Sequence, residues 1–248
     1  MSHVMKVIKL GGSLLDDAAR RADALENIVA AWHSGEQIVL VHGGGKHIDT
    51  ALAKLGIPKR THAGLRITDD ATLDVVVSVL AGSVNKMLVA ELTAMGILCA
   101  GISGADAGTL VAEVHPPIDG IDLGHVGRVT SASSKLAAAM LNEGILPVIS
   151  SVAQGPMGAL LNVNADSAAA AIATACGATS LQFITDVAGL LDGNGSVVPS
   201  LTANDAQVLL ANEIVTGGMK PKLLAALGAL EAGVPSIHIG GGTQLVAA

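Results

Sequence analysis

The chain has 248 residues, half of them hydrophobic and 14% charged, with a formal net charge of −7. That length suits one large α/β domain or two fused lobes with a sizeable core. Net negative charge, no basic run and 1% aromatics with no tyrosine argue against nucleic acid, which would want cationic surface and rings for stacking.

The mean hydropathy of +0.58 owes much to alanine, as in Ala168 to Ala171. No run of about 18 strongly apolar residues is apparent, so no membrane span is expected. Lys6 and Lys9 interrupt the first apolar run, and no cleavage-type sequence follows, so a signal peptide is not expected. Cys99 and Cys176 stand alone in apolar surroundings, as buried free thiols of a reducing, cytoplasmic compartment do.

In chain order, Val4 to Leu10 reads as a strand that ends in Gly11-Gly12. A helix is predicted from about Asp16 to Trp32. A second strand, Ile38 to Val41, runs into His42-Gly43-Gly44-Gly45. Two strands that each end in a glycine cluster bring bare backbone N–H groups to one sheet edge. Such an edge suits an anion such as phosphate, because no Cβ blocks its approach. Lys9 can bring an ammonium to the same space; taken alone it also reads as a strand-end lysine reaching for water.

Helical periodicity resumes from His47 to Leu55 and from Asp69 to Met95. Short strands follow near Ile97–Gly101 and Leu146–Ser151, with a helix from Ser133 to Asn142 between them. Pro116-Pro117, Asp119-Gly120 and Gly124 to Gly127 are turn signals, so hairpins are expected between Ala105 and Arg128. They read equally as a lid over a substrate or as a plain surface excursion. A helix from about Asp166 to Cys176, a strand Leu181–Ile184, helices near Asn204–Ala211 and Gly218–Ala232 and a last strand, Ser236–Ile239, complete the pattern. Strands alternating with helical crossovers imply an α/β fold with a mostly parallel sheet covered on both faces. Ligands of such sheets sit beyond the carboxyl ends of the strands, where both glycine clusters and Thr185-Asp186 fall.

A Walker loop is absent, since Gly45-Lys46 is followed by His47 and Leu40 stands where its first glycine belongs; no GxGxxG follows the first strand. Any nucleotide is held by another kind of loop. Lys9 to Gly12, His42 to Gly45, Gly64 to Thr68 and Ala81 to Lys86 instead follow one another as in the amino acid kinase family. Gly101 to Asp106, Asn162 to Asp166 and Gly217 to Lys222 continue the series. The chain resembles that family over nearly its whole length, and within it the branch that phosphorylates the side-chain carboxylate of N-acetyl-L-glutamate in arginine biosynthesis.

The resemblance implies a three-layer αβα sandwich in two lobes: residues 1–164 for the acylated amino acid, with a dimer helix and lid hairpins, and 165–248 for the nucleotide. It implies Lys9 over the transferring phosphoryl, Lys222 over the leaving phosphate, and Asp166 holding both lysines. Gly12 and Gly44 would lend backbone N–H groups to the phosphoryl. Arg66 would clamp the substrate's α-carboxylate, Asn162 its α-carboxylate and acetamido groups, and Gly43, Gly44 and Gly64 would leave it room. The adenosine is expected near Asp186, Val187, Ala188, Gly189, Leu190 and Leu191 and near Ile214, Val215 and Thr216. ATP would carry Mg²⁺ on its own oxygens, with no metal site in the protein.

In isolation Lys222 reads as an ordinary helix lysine, Asp166 as a first-turn carboxylate and Asn164 as a helix cap. His42 is expected to bond within its loop. Relatives of this type usually continue beyond a strand like Ser236–Ile239 through a further strand and helix, whereas Gly240-Gly241-Gly242-Thr243 follows here at once. The extra N-terminal helix that joins dimers of arginine-inhibited relatives into hexamers is not seen, so a homodimer insensitive to arginine is expected. A branch acting on carrier-bound aminoadipate typically reads Asn-Thr-Asp-Gly-Asp where this chain has Asn162 to Asp166. A non-catalytic amino-acid-binding regulator would be expected to lack Lys9, Lys222 or Asp166, and all three are present.

Overall fold

The computed structural model describes residues 5–192, 195–212, 215 and 217–246. The chain begins with β1 (Met5–Leu10), α1 (Ala18–His33), β2 (Gln37–His42), α2 (Gly45–Lys54), the short pair β3 (Thr61–His62) and β4 (Leu65–Arg66), α3 (Asp70–Val77) and α4 (Asn85–Ala94). Next come β5 (Cys99–Ser103), β6 (Leu110–Val114), β7 (Val126–Ala132), α5 (Lys135–Asn142), β8 (Leu146–Ser150), β9 (Val152–Gln154), β10 (Leu160–Val163) and α6 (Ala165–Ala175). β11 (Ser180–Ile184), β12 (Ser200–Thr202), α7 (Ala203–Ala211), α8 (Met219–Glu231), β13 (Ser236–Ile239) and β14 (Thr243–Val246) complete it.

Eight strands form one sheet in the order β12-β14-β13-β11-β1-β2-β8-β5, parallel at every step except β13–β14. The chain winds outward from the central β1 in both directions, so the carboxyl ends of β1 and β2 lie where ligands of open α/β sheets bind. Strand side chains alternate faces. Val7, Val39, Leu181, Phe183, Ile237 and Leu245 pack with α5, α6, α7 and α8 on one face. Ile8, Leu10, Ile38, Leu40 and Val148 pack with α1, α2, α3 and α4 on the other.

That second layer reaches Ile184 but not β13 or β14. The residues facing that way from β11, β13 and β14 include Gln182, His238 and Gln244, all half-buried. Ser236 Oγ lies 3.0 Å from His238 Nε2 and accepts from Gln244 Nε2 at 2.9 Å. The αβα sandwich thus spans the half of the sheet nearer β2, while polar side chains face outward on the other half.

The hairpin expected between Ala105 and Arg128 exists as β6–β7, with β9 and β10 closing it into a small four-stranded barrel. The short strands β9, β10, β12 and β14 were not expected, since three or four residues are too few to show a period of two. Ser236–Ile239 is therefore not the last strand. A turn at Gly240 to Gly242 leads into β14, which pairs with β13 and β12 and closes that flank of the sheet. Gly240 has φ +60°, and a Cβ there would lie 2.5 Å from the Val187 carbonyl oxygen. Only glycine lets the 187–188 backbone settle on this turn.

The long helix predicted from Asp69 to Met95 runs unbroken from Asp70 to Ala94, with a π-helical stretch at Ser78–Val84. Contrary to the sequence reading, it is long and apolar enough to cross a membrane by length and composition, with a mean hydropathy of 1.6 in its most apolar stretch. Val76, Leu80, Val84, Leu88 and Leu92 are buried against the sheet, so one face of this helix belongs to the core, while 39% of its most apolar stretch is buried in all.

Candidate active site

Lys9 shares its strand face with Val7 and so points toward α6 and α8. Asp166 lies in the first turn of α6 and Lys222 in the first turn of α8. The three side chains converge and are almost wholly buried. Lys9 Nζ is 2.8 Å from Asp166 Oδ1, and Lys222 Nζ donates to Oδ1 and Oδ2 at 3.0 and 3.1 Å. Neither a strand-end lysine in water nor an ordinary helix lysine describes these residues. Burial works to raise the Asp166 carboxyl, but the two ammoniums outweigh it and hold the group below the usual carboxylate range. Burial, then the Lys9 charge, pull the Lys222 ammonium below its ordinary value, and Asp166 opposes both. The Lys222 ammonium also stands 5.1 Å from the centre of the Phe183 ring.

Two buried ammoniums against one carboxylate leave a net positive charge, which suits an anion. A cavity of about 240 Å³ adjoins Lys9 and Asp166, lined also by Gly11, Gly12, Gly43, Gly44 and Gly45. A Cβ on Gly11 would fall 2.0 Å from Lys9 Nζ, so that glycine makes room for the amine itself. Gly12 has φ +62° and stands beside Asp186.

Arg66 reaches the same cavity from the β3–β4 hairpin. The turn there, Ala63-Gly64, has φ +48° and +80°, the type I′ pattern, in which only the glycine is at ease. Arg66 Nη2 donates to the Asp49 carboxylate and to the Gly45 carbonyl at 3.1 Å. Its Nη1 is buried and has no hydrogen-bond partner among the described residues. A guanidinium with one edge tied to protein and the other unmet is prepared for a ligand carboxylate. Asn162 donates to Thr68 Oγ1 at 3.1 Å on the cavity wall. Asn164 proves to be the cap of α6, accepting from the Asp166 and Ser167 N–H groups at 2.8 and 3.1 Å. His42 does bond within its loop, and burial lowers its imidazole to about 4, so it is neutral near pH 7.

A profile of the amino acid kinase family matches residues 5–241. The chain belongs to that family. It is 44% identical over 236 residues to the acetylglutamate kinase of Solibacter usitatus, covering 95% of this chain and 90% of that one. It is 43% identical to the acetylglutamate kinase of Methanopyrus kandleri, covering 92% of each. Among solved structures, smu.665 from Streptococcus mutans superposes with a TM-score of 0.88 at 30% identity, covering 98% of both chains. The N-acetylglutamate synthase of Neisseria gonorrhoeae, at 23% identity and a TM-score of 0.86 over 98% of this chain and 59% of its own, shares the fold.

In this member of the family the other expected residues are placed less uniformly. Asp186 is exposed beside Gly12, and Val187, Ala188 and Leu191 are exposed further along. Gly189 and Leu190 are buried, the Leu190 N–H donating to Thr243 Oγ1 at 2.8 Å, so they shape the loop from within. Val215 is also buried, while Ile214 and Thr216 lie outside the described residues. Among the described residues no group of three His, Cys, Asp or Glu is placed to hold a metal. Sequence reasoning missed Asp49, which holds Arg66, and Thr68, which holds Asn162. It also missed Asn85, whose signal was a polar pair, Asn85-Lys86, inside an apolar helix.

Proposed function

We propose that this chain transfers the γ-phosphoryl group of ATP to the side-chain carboxylate of N-acetyl-L-glutamate, forming N-acetyl-L-glutamyl 5-phosphate in arginine biosynthesis. The observation that carries the reading is the Lys9–Asp166–Lys222 cluster, opening on a glycine-lined cavity that Arg66 enters with one edge of its guanidinium unpaired.

The acceptor carboxylate is already ionised at neutral pH, so no general base is required. The demand is to bring an anion onto a polyanion. Lys9 neutralises the transferring phosphoryl and Lys222 the ADP oxygens as charge moves onto them, while Asp166 holds both ammoniums in place. Gly12 and Gly44 offer backbone N–H groups to the phosphoryl. A well-placed donor of this kind lowers the barrier by roughly 3–4 kcal/mol. Arg66 and Asn162 hold the α-carboxylate and acetamido end, with Gly43 and Gly64 leaving room.

Residues 1–164 make up the acyl-amino-acid lobe and 165–248 the nucleotide lobe. The adenosine lies along 186–191 and 214–216, near the N-terminus of α8, whose dipole favours phosphate. Mg²⁺ arrives on the nucleotide oxygens. The helix from Asp70 to Ala94 pairs with its twin in a two-fold homodimer, and the protein works in the cytoplasm without nucleic acid or membrane.

A hydroxamate-trapping assay with ATP and a panel of N-acylated acidic amino acids tests the reading. N-acetyl-L-glutamate is expected to give the fastest trapped product. No product, or clear preference for another acid, refutes it.

A further inference from the structure

A buried polar cluster lies beneath the Gly43–Gly44 loop, and none of its members touches the cavity. His42 ends β2 and is wholly buried, as is Asn85 at the start of α4. His42 Nδ1 lies 2.9 Å from the Gly43 carbonyl oxygen, and its Nε2 lies 3.1 Å from Asn85 Nδ2. The amide of Asn85 has one orientation that fits. Its Nδ2 also faces the carbonyls of Val148 at 3.0 Å and Ile102 at 3.3 Å, and its Oδ1 accepts from Lys86 Nζ at 3.1 Å. With an NH₂ group facing it, His42 Nε2 has to accept. The one proton of the neutral ring therefore sits on Nδ1 and donates to the Gly43 carbonyl.

The 43–44 peptide is trans, so its C=O and N–H point in opposite directions. A Gly43 carbonyl tied down to His42 turns the Gly44 N–H away from the cluster, toward the cavity that Gly43, Gly44 and Gly45 line. Between two glycines a peptide plane is otherwise free to flip. Gly44 is also pressed from the side: a Cβ on it would stand 2.9 Å from Leu80 Cδ2, in the π-helical stretch that leads into Asn85.

We infer that His42, oriented by Asn85, is a positioning residue that aims the Gly44 N–H at the transferring phosphoryl group. The role rests on the reaction proposed above. It separates two functions of the imidazole, since only the Nδ1 donor aims the peptide.

Three variants test this. His42→Asn places an amide near Nδ1, His42→Gln places one near Nε2, and His42→Ala places neither. Thermal unfolding and MgADP titration establish that each is folded. Expected is kcat within about threefold of the parent for His42→Asn. A loss of tenfold or more is expected for His42→Gln and His42→Ala, with the KM for ATP changed less than about twofold. Equal kcat in the Asn and Gln variants, or a parent-like kcat in His42→Ala, overturns the inference. Orthovanadate titrated in the presence of ADP gives a reading that does not depend on the acceptor. Its affinity should fall in the Gln and Ala variants and hold in the Asn variant, and uniform affinity overturns the inference. A parent that turns over no acylated amino acid but shows this vanadate pattern refutes the proposed substrate and leaves the positioning role standing.

Discussion

Replacing Asp166 by asparagine keeps the shape of the side chain and removes its charge. Two buried ammoniums then share one site without a counter-ion. At an effective dielectric constant of about 20, each contact near 3 Å is worth about 5–6 kcal/mol of Coulomb energy, part of which is returned as the lysines' mutual repulsion and the carboxylate's desolvation are already present in the parent. Breaking a buried pair by removing one partner typically costs about 3–5 kcal/mol net. For a chain of this size that corresponds to a fall in Tm on the order of 10 °C. MgADP should restore more Tm in Asp166→Asn than in the parent, because its phosphates supply the missing negative charge. The assay is thermal unfolding followed by circular dichroism, with and without saturating MgADP, alongside kcat. A ligand-free Tm within about 2 °C of the parent would show that Asp166 does not hold the lysines, and the reasoning about the site would fail with it.

Lys9→Ala and Lys222→Ala should each lower kcat by roughly 10²-fold or more with smaller effects on nucleotide affinity, since their charge matters most as the phosphoryl moves; near-parental turnover in either contradicts the mechanism. Arg66→Lys keeps a charge but loses the planar fork, so the KM for N-acetyl-L-glutamate should rise well above any change in the KM for ATP. His42 binds a proton near 6.5 when unfolded and only near about 4 when folded, so native stability should fall as pH drops through that window. From pH 7 to pH 5 the His42 contribution to the loss is about 2 kcal/mol by linkage, and urea unfolding at both values should show a loss larger by about that amount in the parent than in His42→Asn, in which His238, also lowered by burial, still contributes. Light scattering should report a dimer, and a monomer at micromolar concentration would remove the role given to the helix from Asp70 to Ala94.

The residues that act through charge were the legible ones. Lys9 sits at the end of a strand whose period was plain, so its arrival at the sheet edge followed from the α/β pattern, whereas Asp166 and Lys222 were brought there by the family resemblance alone. The glycine clusters were legible for the same reason as Lys9. The supporting partners were not. Asp49 is one more acidic residue on an amphipathic helix, and only the β3–β4 hairpin, two residues per strand, brings Arg66 to it. Thr68 and Asn85 act through contacts distant in sequence, 94 residues away for Asn162 and 43 for His42, which no local pattern records. Gly189 and Leu190, which the resemblance set near the adenosine, are buried, with the Leu190 N–H donating to Thr243 Oγ1 on β14, a contact 53 residues away that no local pattern records.

The central strands carry apolar side chains on both faces, and this has a consequence for how the sheet finds its alignment. In β11, β13 and β14 a slip of one residue would trade Phe183 or Leu245 for Gln182 or Gln244 in the core, so misalignment is penalised along the whole strand. In β1 the same slip would exchange Val7 for Ile8, a near-even trade. The exception is Lys9. Displaced by one position, its ammonium would enter the apolar layer beneath α1 to α4, far from Asp166, at a cost of several kcal/mol. The residue proposed to neutralise phosphate thus also serves as the pin that sets the register of the central strand.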